Sequence, residues 1–134
     1  MRSLVFAAAL SGFPLAVLAD EVWYTMDGEM VYETDLEPYA LISAPWDGDE
    51  VMLYVDELAF NYDARGVHGG FWIGPAARQS CDVAISAPDG RASYHWGRIQ
   101  VTFDQPSFPT GFTVLMGSCF DEPDMILRAN LAAG

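Results

Sequence analysis

Two imidazoles, two thiols and 19 carboxylates are the side chains through which this 134-residue chain could do chemistry. A hydrolytic triad needs a histidine base, and a typical zinc site needs histidines or several cysteines, so either would have to use His68 or His95. His68 lies in Gly66-Val67-His68-Gly69-Gly70. That run reads as a mobile, glycine-rich connection, open to close ligand approach but a poor platform for catalysis. His95 stands between Tyr94 and Trp96 on an expected strand, where a solvent-facing position is the plainer reading. No Gly-x-Ser-x-Gly elbow, His-Glu-x-x-His helix, phosphate loop or dinucleotide fingerprint is present. A histidine-dependent hydrolase therefore stays only as an alternative, and the sequence assigns no catalytic residue, cofactor or metal.

The carboxylates fall in clusters: Asp27 with Glu29; Glu33, Asp35 and Glu37; Asp47, Asp49 and Glu50; Asp56 with Glu57; Asp121, Glu122 and Asp124. Calcium takes six to eight oxygens from flexible loops. The Asp47-Gly48-Asp49-Glu50 turn offers some of them, but the twelve-residue loop with its terminal bidentate Glu is missing. A cation-dependent structural or adhesion module is thus a second alternative. The leading expectation is a non-enzymatic, inhibitor-like binding module for a basic protein. Its candidate surface is Trp46, Asp47, Asp49 and Glu50 in one turn, with His68 and Trp72 beside the glycine-rich run. Tyr and Trp are common interface anchors, but a small domain also needs them inside, and two of the four tryptophans are expected in the core.

Cys81 and Cys119 are the only cysteines, and they read as one structural disulfide because the start of the chain reads as an export signal. Met1, Arg2 and Ser3 precede an apolar run from Leu4, broken by Ser11, Gly12 and Pro14 and ending in Val17-Leu18-Ala19 before Asp20. That is a charged start, a short hydrophobic stretch and a small-residue cleavage site. Residues 1–19 are expected to be removed, leaving residues 20–134 as a single acidic domain in the periplasm or secreted space. Export takes away Arg2 and no acid, which moves the formal net charge from −13 to −14. The remaining chain has five arginines (65, 78, 91, 98 and 128) and no lysine. Such a field repels nucleic acid and anionic headgroups and attracts basic proteins. No stretch after the signal is long and apolar enough to span a bilayer.

The elements that must position these groups are short strands. Gly and Pro recur between runs of Val, Ile, Leu, Phe and Tyr, which implies an all-β domain, an antiparallel sandwich or small barrel of about eight strands. Asp27-Gly28 suits a two-residue hairpin turn that sets Trp23 opposite Tyr32 and Tyr24 opposite Val31. Val51 to Tyr62 changes parity at Asp56-Glu57, which marks a bulge or break. Around Pro88-Asp89-Gly90, apolar pairing favours Ile85 opposite Tyr94, whereas the turn chemistry favours a three-residue loop. Arg98 to Phe103 alternates cleanly with Ile99, Val101 and Phe103 inward, and Phe112, Val114 and Met116 alternate likewise. Gly117-Ser118 is expected to bend Cys119 towards Cys81. The tail from Glu122 reads as a short helix or a frayed end.

Overall fold

The computed structural model describes residues 21–60, 64–75 and 80–131. The expected signal segment, residues 1–19, lies outside the described residues. Ten strands occur among the described residues: β1 (Val22–Thr25), β2 (Gly28–Leu36), β3 (Tyr39–Trp46), β4 (Asp49–Val55), β5 (Val67–Ile73), β6 (Ile85–Ser86), β7 (Ala92–Ser93), β8 (Trp96–Phe103), β9 (Phe112–Met116) and β10 (Met125–Ala129). Eight of them form one antiparallel sheet in the order β10-β9-β8-β5-β4-β3-β2-β1. Its two edges meet through reciprocal backbone bonds, Tyr24 N–H to the Asn130 carbonyl (2.8 Å) and Asn130 N–H to the Tyr24 carbonyl (2.9 Å). The domain is therefore a nearly closed up-and-down barrel rather than a sandwich, with the β6-β7 hairpin inserted between β5 and β8.

Period-two patterning fills the interior. Trp23, Met30, Tyr32, Ile42, Leu53, Trp72, Val101, Phe112 and Met116 belong to one buried cluster, as the inner positions of a small barrel require. The clean alternation of β8 and β9 is realised with Ile99, Val101, Phe103, Phe112, Val114 and Met116 all buried. A second cluster lies on the outer face of β3, β4, β5 and β8, where Leu41, Tyr54, Ile73 and Trp96 are covered by Cys81, Ile85 and Ala87 of the inserted segment. The Cys81–Cys119 disulfide is formed, with Cα atoms 5.6 Å apart. It ties the insertion to the segment after β9. The Trp96 indole N–H donates to the Val83 carbonyl (2.8 Å), and the Tyr54 hydroxyl donates to Asp89 (3.0 Å), two further anchors for the same cover.

Several sequence expectations are corrected by the turns. The first hairpin sets Trp23 opposite Met30 and Tyr24 opposite Glu29. Its two-residue loop is Met26-Asp27, and Gly28 opens β2 with φ 141°. The slip is two residues, so the parity survives, and Trp23, Met30 and Tyr32 remain inward. The Asp-Gly turn chemistry is used instead at Asp47 (φ 53°) and Gly48 (φ 84°), the pair that joins β3 to β4. At Pro88-Asp89-Gly90 the three-residue loop wins, because Gly90 takes φ 94° and Ile85 pairs with Ser93. The break at Asp56-Glu57 is a turn that ends β4 at Val55, followed by a 3-10 turn at Leu58–Phe60; residues 61–63 lie outside the described residues. Gly66 to Gly70 is not a loose connection, since Val67–Ile73 is a strand paired with both β4 and β8. The tail is neither helical nor frayed at Met125–Ala129. That segment pairs with β9 along its whole length and supplies one edge of the barrel seam.

Candidate functional site

The candidate site is built at the end of the barrel that carries the β1–β2 and β3–β4 turns. Thr25 shapes the first of them: its hydroxyl accepts from the Asp27 N–H (3.0 Å) and donates to the Gly28 carbonyl (2.9 Å). That arrangement holds Met26 wholly in solvent. Neighbouring strands bring the second turn alongside, and an added Cβ on Gly28 would touch Pro45 at 3.6 Å. Asp27, Glu29, Asp47, Asp49 and Glu50 are all exposed on these two turns. Beside them opens a cavity of about 430 Å³ whose lining includes Met26, Asp27, Trp46, Ile126, Arg128 and Asn130. Trp46 is half-buried and packs its inner side against the barrel core.

Of the candidate surface residues, the structure thus brings Trp46, Asp47, Asp49 and Glu50 to one end. It separates them from the other two. Trp72 is 2% exposed and its indole N–H donates to the Gly117 carbonyl (2.7 Å), so it is a core residue and no surface anchor. Trp23 and Trp96 are buried as well, which makes three core tryptophans rather than two. His68 sits in β5 near the opposite end of the barrel. Its Nδ1 lies 2.8 Å from the Asp56 carbonyl and its Nε2 lies 3.1 Å from that of Ala64. Both ring nitrogens are thereby engaged by the chain that enters β5, a positioning role for the backbone. His95 is half-buried at the bend before β8 and not on a strand, with its N–H donating to the Ser93 hydroxyl (2.8 Å). Among the described residues no three His, Cys, Asp or Glu side chains are grouped to hold a metal ion.

Met26, Ile126 and Arg128 enter the site without having been singled out in the sequence. For Ile126 and Arg128 the local signal is the alternation Leu127 inward, Arg128 outward, Ala129 inward, too short to separate a strand from a frayed end.

Within this end of the barrel no described arginine is left over to offset the carboxylates. All four described arginines are paired internally: Arg65 with Glu21 (3.1 Å), Arg91 with Asp89, Arg98 with Glu122 (3.9 Å) and Arg128 with Asp104. None of Asp27, Glu29, Asp49 and Glu50 forms an ion pair among the described residues. Hydrogen bonds from the Arg128 guanidinium hold the Asp104 carboxyl below the usual aspartate value of 3.8, against a smaller opposing effect of burial. At Asp89 burial works towards protonation. The Arg91 backbone N–H, the Tyr54 hydroxyl and the Arg91 guanidinium outweigh it and keep that carboxyl low as well.

A carboxyl whose folded pKa is depressed contributes stability above its unfolded value and loses it as the pH falls through the folded one. Wild type should therefore be more stable than Asp104→Asn at pH 7, by less than about 1 kcal/mol for so exposed a pair. Urea unfolding across pH should show that difference shrinking below pH 3.8. A difference that stays constant down to strong acid would show that the ion pair is not its source.

No protein family, curated protein or solved structure matches this chain.

Proposed function

We propose that the domain is an exported, non-enzymatic binding module that recognises a basic protein through the acidic end of its barrel. The observation that carries the proposal is a contrast. Five exposed carboxylates stand on the two turns at the end where an apolar cavity opens, one of them, Asp27, in its wall, while every described arginine is paired within the fold. Interfaces combine a desolvated apolar centre with a charged rim that steers encounter, and Trp46 with Met26 and Ile126 supplies the centre here. Side chains fill the barrel interior, which favours recognition on the outside over carriage of a small ligand within. The outer positions Arg98, Gln100 and Thr102 of β8 support a water-exposed barrel, because a barrel in lipid turns apolar residues outward. A closed disulfide suits an oxidising periplasmic or extracellular setting.

Binding to a panel of basic proteins, followed across a salt series, tests the reading. The combined variant Asp27→Asn, Asp49→Asn and Glu50→Gln should lose about tenfold in affinity at low ionic strength, mostly through slower association. The gap should close by about 0.5 M salt, where screening reaches the spacing of neighbouring charges. If no basic protein binds the wild-type domain even at low ionic strength, the reading fails.

A further inference from the structure

We infer that the seam between β1 and β10 receives an extended, basic and apolar segment of the partner protein as an added strand. The inference rests on the function proposed above and names the form the partner takes at that site.

The seam is the weakest join in the barrel. Tyr24 and Asn130 exchange both backbone hydrogen bonds, and in an antiparallel ladder the next such exchange falls two residues away, at Met26 and Arg128. It is not made. Met26 turns into the β1–β2 loop and the two strands part around the cavity. Backbone groups alternate sides along a strand, so Arg128 and Ile126 turn their N–H and C=O groups the same way as Asn130, into the gap. A strand edge that opens onto a cavity, as β10 does here, forms the usual receptor for an incoming strand, which gains main-chain hydrogen bonds along the edge and specificity from alternate side chains. Trp46 lines the opening against the barrel core, and Met26 and Ile126 stand exposed at its rim.

Charge selects the occupant. Asp27 lies in the wall of the cavity, and Glu29, Asp49 and Glu50 stand on the turns beside it. The single cation in the wall, Arg128, is engaged with Asp104, with the Thr113 hydroxyl (3.2 Å) and with the Asn130 side chain (3.0 Å). A strand that alternates basic and apolar residues would set its apolar side chains towards Trp46 and its cations towards the carboxylates. A second copy of this chain would instead bring the same acidic turns against one another, in a protein that carries 19 acidic side chains and no lysine.

The test uses the disulfide-bonded protein and three synthetic ten-residue peptides. One alternates lysine and valine, one has the same sequence with every second backbone nitrogen methylated, and one alternates glutamate and valine. The lysine peptide should bind, change the Trp46 fluorescence and protect the Met26, Ile126 and Arg128 amides from hydrogen exchange. The methylated peptide keeps the charge and loses half of its backbone donors, so its affinity should fall at least about tenfold. The glutamate peptide should not bind. Equal binding of the methylated and parent peptides, with both weakened by neutralising Asp27, Asp49 and Glu50, would leave the electrostatic reading standing and overturn strand addition. Failure of every peptide and every basic protein at low ionic strength would overturn both. A doubled mass with the same amides protected in the protein alone would make a second copy the occupant and also overturn the inference.

Discussion

Replacing Cys81 and Cys119 together by alanine should cost about 3–4 kcal/mol of unfolding free energy and lower the melting temperature by about 10–15 °C. The bridge joins residues 38 apart, long enough for loop-closure entropy in the unfolded chain to be a large part of a small domain's net stability. The variant should also fail locally before it fails globally. Cys81 and Ala87 cover Leu41, Tyr54, Ile73 and Trp96 on the outside of the barrel, and without the bridge that cover is held by Ile85 packing, the Trp96 to Val83 hydrogen bond and the Tyr54 to Asp89 contacts. Opening of the insertion should then appear as faster quenching of Trp96 fluorescence and binding of a hydrophobic dye below the main melting transition. A loss under about 1 kcal/mol with Trp96 still shielded would mean that packing alone holds the insertion down.

The double coverage makes one part of the sequence less legible than another. From Arg98 onward β8, like β9, faces the core on one side only, so inward and outward residues alternate and their parity can be assigned by inspection. β3 is buried on both faces from Ala40 to Ala44, and its Ala-Leu-Ile-Ser-Ala run carries no period that could tell inside from outside. The register of the first hairpin is hidden for another reason. Asp27-Gly28 has the composition of a tight turn, yet the Thr25 hydroxyl offers the Asp27 N–H a local partner and moves the loop back by one residue. Short side-chain to backbone bonds of this kind compete with the turn chemistry that composition suggests.

The candidate site was half legible. Trp46, Asp47, Asp49 and Glu50 lie within five consecutive residues, so a single Asp-Gly turn delivers them together, and the type of that turn follows from its residues. His68 and Trp72 do not belong with them, although the glycines beside them have the composition of a loose connection. Gly69 and Gly70 in fact lie within β5, and Gly70 is required there because a Cβ would overlap the Tyr54 backbone of the neighbouring strand. The other wall of the cavity, Ile126 and Arg128, comes from the far end of the chain. Nothing local in the sequence announces that the last strand returns to the first, since closure of a barrel is a property of the whole sheet.

The same logic of close approach gives the other large effect, at Gly97. Alanine there should cost about 4 kcal/mol or more, among the largest losses available to a single methyl group. Its Cβ would overlap the Gly117 carbonyl oxygen and stand only 2.7 Å from the Gly117 carbonyl carbon, with the Trp72 indole nitrogen also inside contact distance. Neither neighbour can yield cheaply. The Gly117 carbonyl accepts the Trp72 indole N–H at 2.7 Å, and the Gly117 N–H donates to the Arg98 carbonyl at 2.9 Å. Two residues on, the Cys119 N–H bonds the Trp96 carbonyl at 2.9 Å and a parallel bridge joins Cys119 to Gly97. The missing side chain thus lets the chain after β9 lie against the start of β8, and that contact sets Cys119 beside Cys81. Gly69→Ala is the control, because a Cβ there meets nothing within 4 Å, and its cost should stay under about 1 kcal/mol. Denaturant unfolding of the two variants, with a thiol assay for the bridge, decides the matter. Equal losses at both positions would show that the barrel has room at Gly97, whereas a selective loss there, with free thiol appearing in the folded fraction, would tie the disulfide to that close approach.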